Sequence, residues 1–318
     1  MLRAVSFVAK LFERRPQPPP RSKGRIAKRF SEYEVVPMYP FVAIHLFALA
    51  GLVLTFMGKV GWEPWAAAFV LYWVRMWAVT AGYHRYFSHR TYKTSRVFQF
   101  ILAFLAQTAS QRGVLWWAAH HRDHHKFSDE ERDVHSPLQH GFVHSHMGWL
   151  YDGNGKTDYS RVKDLARYPE LVALDKYWTL PPTVLGISMW LWMGWPGLLV
   201  GFFLSTCVLM HCTFTINSLS HIWGKRRYET TDTSRNNWFL AFITLGEGWH
   251  NNHHHFMNST RQGFFWWELD ISYYSLKVLS WLGIVWDLKE PPARVYEGDL
   301  ATPVDVPVPP TPEQREAA

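Results

Sequence analysis

With 318 residues, a net charge of +7 and two cysteines, the chain reads as one large basic unit and not as a disulfide scaffold. Two cysteines also exclude a four-thiolate zinc site and a cysteine-ligated iron–sulfur cluster. Only 19% of residues are charged, while 17% are aromatic and 48% hydrophobic, a balance that points away from a soluble domain and towards a membrane.

Residues 1–35 form a basic segment, with nine Lys or Arg against three acids up to position 34. Lys10 and Glu13 interrupt an apolar stretch too short for a cleavable signal, and no nucleic-acid motif accompanies the charge, so an anionic lipid surface is the expected neighbour. Phe41 to Gly58 is uncharged and Trp65 to Gly82 carries only Arg75, which predicts two membrane helices joined by a loop at Gly61 and Trp62. Val97 to Ser110 reaches only about 21 Å as a helix and contains Gln99 and Gln107; it is expected to be buried or re-entrant, and not to cross. Tyr177 to Gly224 contains no Asp, Glu, Lys or Arg across 48 residues, enough for two crossings broken at Gly194–Gly197. Both hairpin loops are nearly uncharged. The N-terminus, the segment 84–176 and the chain after 224 are therefore expected on the cytoplasmic side. Ser272 to Trp286 is short and carries Lys277, as an interfacial segment would. The last 28 residues hold seven prolines and are expected to be disordered. The expected division is a basic segment at 1–35, a membrane domain at 36–290 and a proline-rich tail at 291–318. The expected fold class is an all-α integral membrane protein with four transmembrane helices and a cytoplasmic helical cap.

The 17 histidines are not scattered evenly. His84 and His89 are five apart; His121, His124 and His125 are at i, i+3 and i+4; His250, His253 and His254 repeat that spacing. On a helix each triplet shares one face, and Asn217 and His221 share a face by the same rule. His84 and His89 lie about 140° apart on an ideal α-helix, so one must stand past a helix end near Gly82 for them to converge. A lone histidine is usually a satisfied polar group. Clusters at cytoplasmic helix ends need a cation between the imidazoles, since many unpaired rings there would be costly. Nine nitrogen donors exceed the four to six that one transition metal takes, so two ions are expected, with nitrogen ligation suiting Zn, Cu, Fe or Ni. Asn217 is too weak a donor for direct ligation and is placed on a metal-bound water. His120 and His255 lie off the shared faces, and His45, His135, His140, His144, His146 and His211 lack paired spacing; a structural role is expected for each. Asp123, Asp129, Glu247 and Asp270 are the acids placed to bond outer imidazole nitrogens.

These boxes, His84–His89, His121–His125 and His250–His254, resemble those of the membrane fatty acid desaturases, specifically the acyl-CoA type with Δ9 selectivity. The strings Trp117–His121, Lys126–Ser128, His146–Trp149, Asn217–His221 and Gly246–His250 support the resemblance, which runs from about residue 40 to 290. It implies a di-iron site held by His84, His89, His121, His124, His125, His221, His250, His253 and His254, with Asn217 acting through water. It implies O2 as co-substrate, a fatty acyl substrate carried as a CoA thioester, a cis-9 double bond as product and a separate electron donor, ferredoxin-like or a b-type cytochrome. It also implies that Gln111, Trp117 and Thr213 line a tunnel for the bent acyl chain. The location implied is the inner membrane in a bacterium or the endoplasmic reticulum in a eukaryote, with the site facing the cytoplasm. The chemistry agrees, because an unactivated methylene has no acidic proton and zinc has no redox chemistry. The nearest alternative is a hydroxylase or monooxygenase using the same kind of iron pair. A metal transporter would instead need polar ligands along a path near the bilayer midplane.

Overall fold

A computed structural model describes residues 38–297 of the chain; the basic segment 1–35 and the tail from 298 onward lie outside the described residues. Among the described residues the fold is mostly helical, with one two-stranded antiparallel ribbon. The helices that matter for the site are α1 (Met38–Phe56), α2 (Glu63–Trp77), α3 (Arg96–Gln107), α4 (Val114–Phe127), α5 (Leu180–Pro196), α6 (Ser205–Asn217), α7 (His250–His255) and α8 (Ile271–Trp281). The ribbon pairs β1 (Lys93–Thr94) with β2 (Val285–Trp286).

Among the described residues two helical runs are long and apolar enough to cross a membrane, Met38–Phe56 and the 42-residue run Leu180–His221. Helix α1 is apolar on every side, and Leu46, Leu49, Val53 and Phe56 stand exposed. Such surface is costly in water and suits lipid. The long run is interrupted where the sequence predicts a break: Gly194 takes φ 62°, ψ −151°, and the chain folds back so that Met189 packs against Phe202. Helix α2 buries Arg75, the basic residue of its last turn. Arg75 donates to Thr206 Oγ1 at 2.6 Å and to Ser205 Oγ on the neighbouring helix, so the cation is satisfied within the protein.

Beyond Trp77 the chain stays helical to Ser88, but the winding loosens to a π-helix, Ala78–Ser88. This differs from the expected helix end near Gly82. A π-turn bonds i to i+5, as His89 N to His84 O does at 3.2 Å, and so brings residues five apart onto one side. Helix α3 is short and amphipathic, burying Leu102, Ala103 and Ala106 while Val97, Phe100 and Ile101 are exposed. It packs on Gly82, where any Cβ would stand 3.0 Å from Leu102. The histidines before and after α3 meet, with His89 Nε2 lying 2.8 Å from His121 Nε2. Helix α4 is anchored from outside: Asp175 Oδ1 accepts from the Leu115 and Trp116 amides at 2.9 and 2.8 Å, placing a carboxylate at the helix N-terminus. The core joins the end of α2, α3 and α4 through Tyr83, Phe87, Leu102, Ala106, Leu115 and Ala118. At the far end a short helix, Ala293–Glu297, follows residue 290 and packs Val295 against Tyr228 and Phe264, so order extends into the segment assigned to the tail.

Candidate metal centre

The nine histidines singled out by spacing come together in two groups. His84, His89, His121, His125 and His253 form one, and His124, His221, His250 and His254 form the other; in each, one ring nitrogen per residue lies within 4.8 Å of the rest. The Nε2 atoms face one another: His84 to His253 at 2.9 Å, His253 to His125 at 2.9 Å, His89 to His121 at 2.8 Å, and His221 to His250 at 3.1 Å. The two groups adjoin, since the His125 and His254 rings are 4.4 Å apart.

The triplets do not each serve one centre. His121 and His125, one turn apart, enter the five-membered group while His124 between them turns to the four-membered one. On α7 the roles reverse: His250 and His254 join the four and His253 joins the five. Each triplet thus bridges both groups. His221 is not on the α-helix with Asn217, as the spacing suggested. Helix α6 stops at Asn217, and His221 sits on a separate 3₁₀ turn, Leu219–His221.

Carboxylates orient the rings from behind. Asp133 Oδ2 is 3.1 Å from His124 Nδ1, Asp129 Oδ2 is 3.2 Å from His221 Nδ1, and Asp232 Oδ2 is 2.6 Å from His254 Nδ1. Glu247 contacts His84 Nδ1 and is itself held by Arg85 at 3.1 Å, whose other arm reaches Asp270 at 2.8 Å. Gly246, at φ +125°, makes the turn that presents Glu247; a Cβ there would stand 2.5 Å from Asp270 Oδ1. A carboxylate at Nδ1 holds the proton there and leaves the Nε2 lone pair facing inward. Of the four acids expected to do this, Asp129 and Glu247 do. Asp270 acts on Arg85 instead, and Asp123 pairs with Arg161 at 2.6 Å near the surface. Asp133 and Asp232 were missed. Both lie in irregular chain, where no periodicity ties them to a histidine.

Electrostatics strongly favour neutral rings at five of the nine positions; at His221 burial works against the charge, but the facing Asp129 carboxylate raises the ring to about 8. Burial, reinforced by neighbouring imidazoles, pushes His89, His121, His125, His250 and His253 well below their ordinary 6.5. Burial alone would raise the acids, but the facing imidazoles and hydrogen bonds hold Asp129, Asp133 and Asp232 well below the usual carboxylate range. Neutral nitrogen donors backed by ionised carboxylates are what a transition-metal ion requires. The His254 Nε2 and His253 Nδ1 atoms are buried with no hydrogen-bond partner. For His254 the unpartnered nitrogen is the one opposite its carboxylate, so a cation among the four rings would satisfy it. The donor set therefore fits iron, among the metals that imidazole suits.

A cavity of about 850 Å³ approaches this centre, within the range of small-molecule sites. Gln111, Trp117 and Thr213 all line it, as do His121 and Asn217. Gln111 Nε2 donates to Thr213 Oγ1 at 3.0 Å, and Trp117 is stacked between Tyr83 and His121, with ring centroids at 5.4 and 4.9 Å. The histidines expected to be structural remain outside both groups: His255 stacks on Tyr228, His144 contacts the Val134 carbonyl, and His135 packs on His124.

The chain is similar to known proteins. The sequence model of the family described as "Fatty acid desaturase" matches residues 60–277. The chain is 37% identical over 235 residues to the palmitoyl-monogalactosyldiacylglycerol delta-7 desaturase of Arabidopsis thaliana, covering 72% of this chain and 63% of that relative. It is 36% identical over 260 residues to the sn-1 stearoyl-lipid 9-desaturase of Synechocystis, covering 79% of each. It is 34% identical over 235 residues to the acyl-CoA C20 Delta5-desaturase of Anemone leveillei, covering 72% and 75%.

Proposed function

The chain belongs to the fatty acid desaturase family, and from that premise we propose that it introduces a cis double bond, at the Δ9 position, into an acyl-CoA, using two iron ions held by its nine converging histidines. The observation that carries the reading is the division of those histidines into adjoining groups of five and four, each closed by inward-facing nitrogens. Bound iron supplies redox chemistry with O2 that can remove two hydrogens from an unactivated CH2–CH2 unit, with electrons from a separate donor protein, ferredoxin-like or a b-type cytochrome.

The chain's own residues do the rest. Asp129, Asp133, Asp232 and Glu247 keep protons on the outer nitrogens, so the inner ones stay available. Asn217, on the cavity wall, would hold a water at the metal pair. Trp117 forms the apolar wall beside His121, and the Gln111–Thr213 bond fixes the opposite polar point of the cavity. Together they position one pair of carbons and exclude water.

The same reading takes α1, α2 with its π-wound extension, α5 and α6 as four membrane spans, with residues 84–176 and 224–290 as a cytoplasmic cap. The meeting of the α2 and α6 ends with α4 and α7 supports a single face for all the ligands. The domain limits proposed remain 1–35, 36–290 and 291–318.

Expression in a host that makes no unsaturated fatty acids tests the function. New cis-9 monoenes on added stearoyl-CoA support it, and His124→Ala abolishes them while the protein stays in the membrane. Product confined to glycerolipid-bound chains would replace the CoA carrier with a lipid one, and hydroxy acids would replace desaturation with hydroxylation.

A further inference from the structure

Three histidines that the two groups leave out form a line between α1 and α6. His45 stands on α1; Cys207 and His211 stand one turn apart on α6; and one ligand atom from each lies within 4.8 Å of the others. The His45 and His211 Nε2 atoms are 2.8 Å apart, the same approach as between the paired rings of the larger clusters. His45 Nδ1 donates to the Phe41 carbonyl at 2.7 Å. A carbonyl only accepts, so neutral His45 carries its proton on Nδ1 and turns a lone pair towards His211. His211 Nδ1 is in turn 3.0 Å from His146 Nε2, and His146 Nδ1 is 2.9 Å from Ser218 Oγ. With the His211 proton on the His146 side, two lone pairs face each other beside a thiol, and a cation resolves the contact.

We propose that His45, Cys207 and His211 form a third metal site, one that takes a single divalent late-transition-metal ion of the zinc type. Two imidazoles and a thiolate suit that class, and the absence of oxygen donors in the trio disfavours magnesium or calcium. His146 is a positioning residue that fixes the His211 tautomer from behind, as the carboxylates do in the larger clusters. Binding takes the proton from the Cys207 thiol and releases it to solvent, and three protein ligands leave a fourth position for a water. Polar side chains this far inside apolar helices are expensive unless they serve a site. The ion would clip α1 to α6 at the cavity wall: Phe41 lies 4.1 Å from the His45 ring, Phe214 lies 5.9 Å from His211, and both face the cavity.

Cobalt reports the site, because only a cysteine ligand gives a thiolate-to-cobalt charge-transfer band and the nine-histidine centre contains no thiolate. Tag-free, full-length protein in detergent is titrated with Co²⁺. The band is expected to saturate at the intensity of one thiolate-bound cobalt per chain, to vanish in Cys207→Ser, and to survive in Cys212→Ser and His124→Ala. A second measurement needs no variant. Zn²⁺ is expected to slow alkylation of Cys207 by N-ethylmaleimide at least tenfold, read by peptide mass spectrometry. Absence of the band, its persistence in Cys207→Ser, or alkylation unchanged by Zn²⁺ would overturn the site and leave a hydrogen-bonded chain of imidazoles.

Discussion

Replacing Asp232 by Asn probes the centre without removing an atom from the fold. Asp232 Oδ2 accepts from His254 Nδ1 at 2.6 Å, while Oδ1 accepts from the Ser234 amide at 2.9 Å and Thr230 Oγ1 at 3.0 Å. Asn keeps the Oδ1 bonds but turns an NH2 towards His254. Two donors then face each other, and the ring relieves the clash by moving its proton to Nε2, the nitrogen that points among His124, His221 and His250. His254 ceases to be a ligand. Loss of an outer partner typically lowers metal affinity 10- to 100-fold, or about 1.4–2.7 kcal/mol, and inverting the tautomer places this variant at the upper end. Iron analysis of purified Asp232→Asn is expected to fall from two ions towards one per chain, with desaturation down at least 100-fold and the melting temperature of metal-free protein little changed. Asp123→Asn is the control: that acid pairs with Arg161 near the surface and should leave iron content and rate within twofold. An Asp232→Asn protein with two irons and undiminished turnover would refute the argument that carboxylates set the ligand tautomers.

Arg85→Met should be severe, because Arg85 is fully buried between Glu247 and Asp270 and its loss leaves two buried carboxylates facing each other; a cost of about 3–5 kcal/mol is expected, read as loss of the monodisperse folded species. Thr213→Phe should fill the cavity beside Gln111 and shift preference to shorter chains, with kcat/KM for an 18-carbon substrate falling at least tenfold relative to a 14-carbon one. Chelation should abolish turnover, with recovery on adding Fe²⁺ under reducing conditions and none with Zn²⁺, which binds imidazoles but carries no redox chemistry.

The candidate ligands were legible in the sequence because metal binding restricts residue type and helices impose spacing; all nine of these histidines converge. Their partition was not. The i, i+3, i+4 rule places His121, His124 and His125 on one side of α4 but cannot say that the two histidine groups lie to left and right of that side, so that the middle residue turns away from its neighbours. The π-winding at Ala78–Ser88 was equally hidden, since α- and π-turns share composition and differ only in how tertiary packing divides the hydrogen bonds. Asp133 and Asp232 were invisible because they reach their histidines from irregular chain, whereas Glu247 was visible three residues ahead of His250. His45, His146 and His211 read as isolated residues because their proximity is created entirely by the packing of α1, α6 and the short helix Phe142–His146. Two of the apolar runs form helices long and apolar enough to cross a membrane, and the turn at Gly194 was foreseen from Gly, Trp and Pro together.

The most direct test of the central claim is the metal content and iron coordination of full-length protein made under iron-replete conditions, by elemental analysis joined to X-ray absorption at the iron edge. Two irons per chain in nitrogen-dominated shells, falling towards one in His124→Ala, is the result the account predicts. Correctly folded protein that retains no iron, or iron surrounded mainly by oxygen or sulfur, would contradict it.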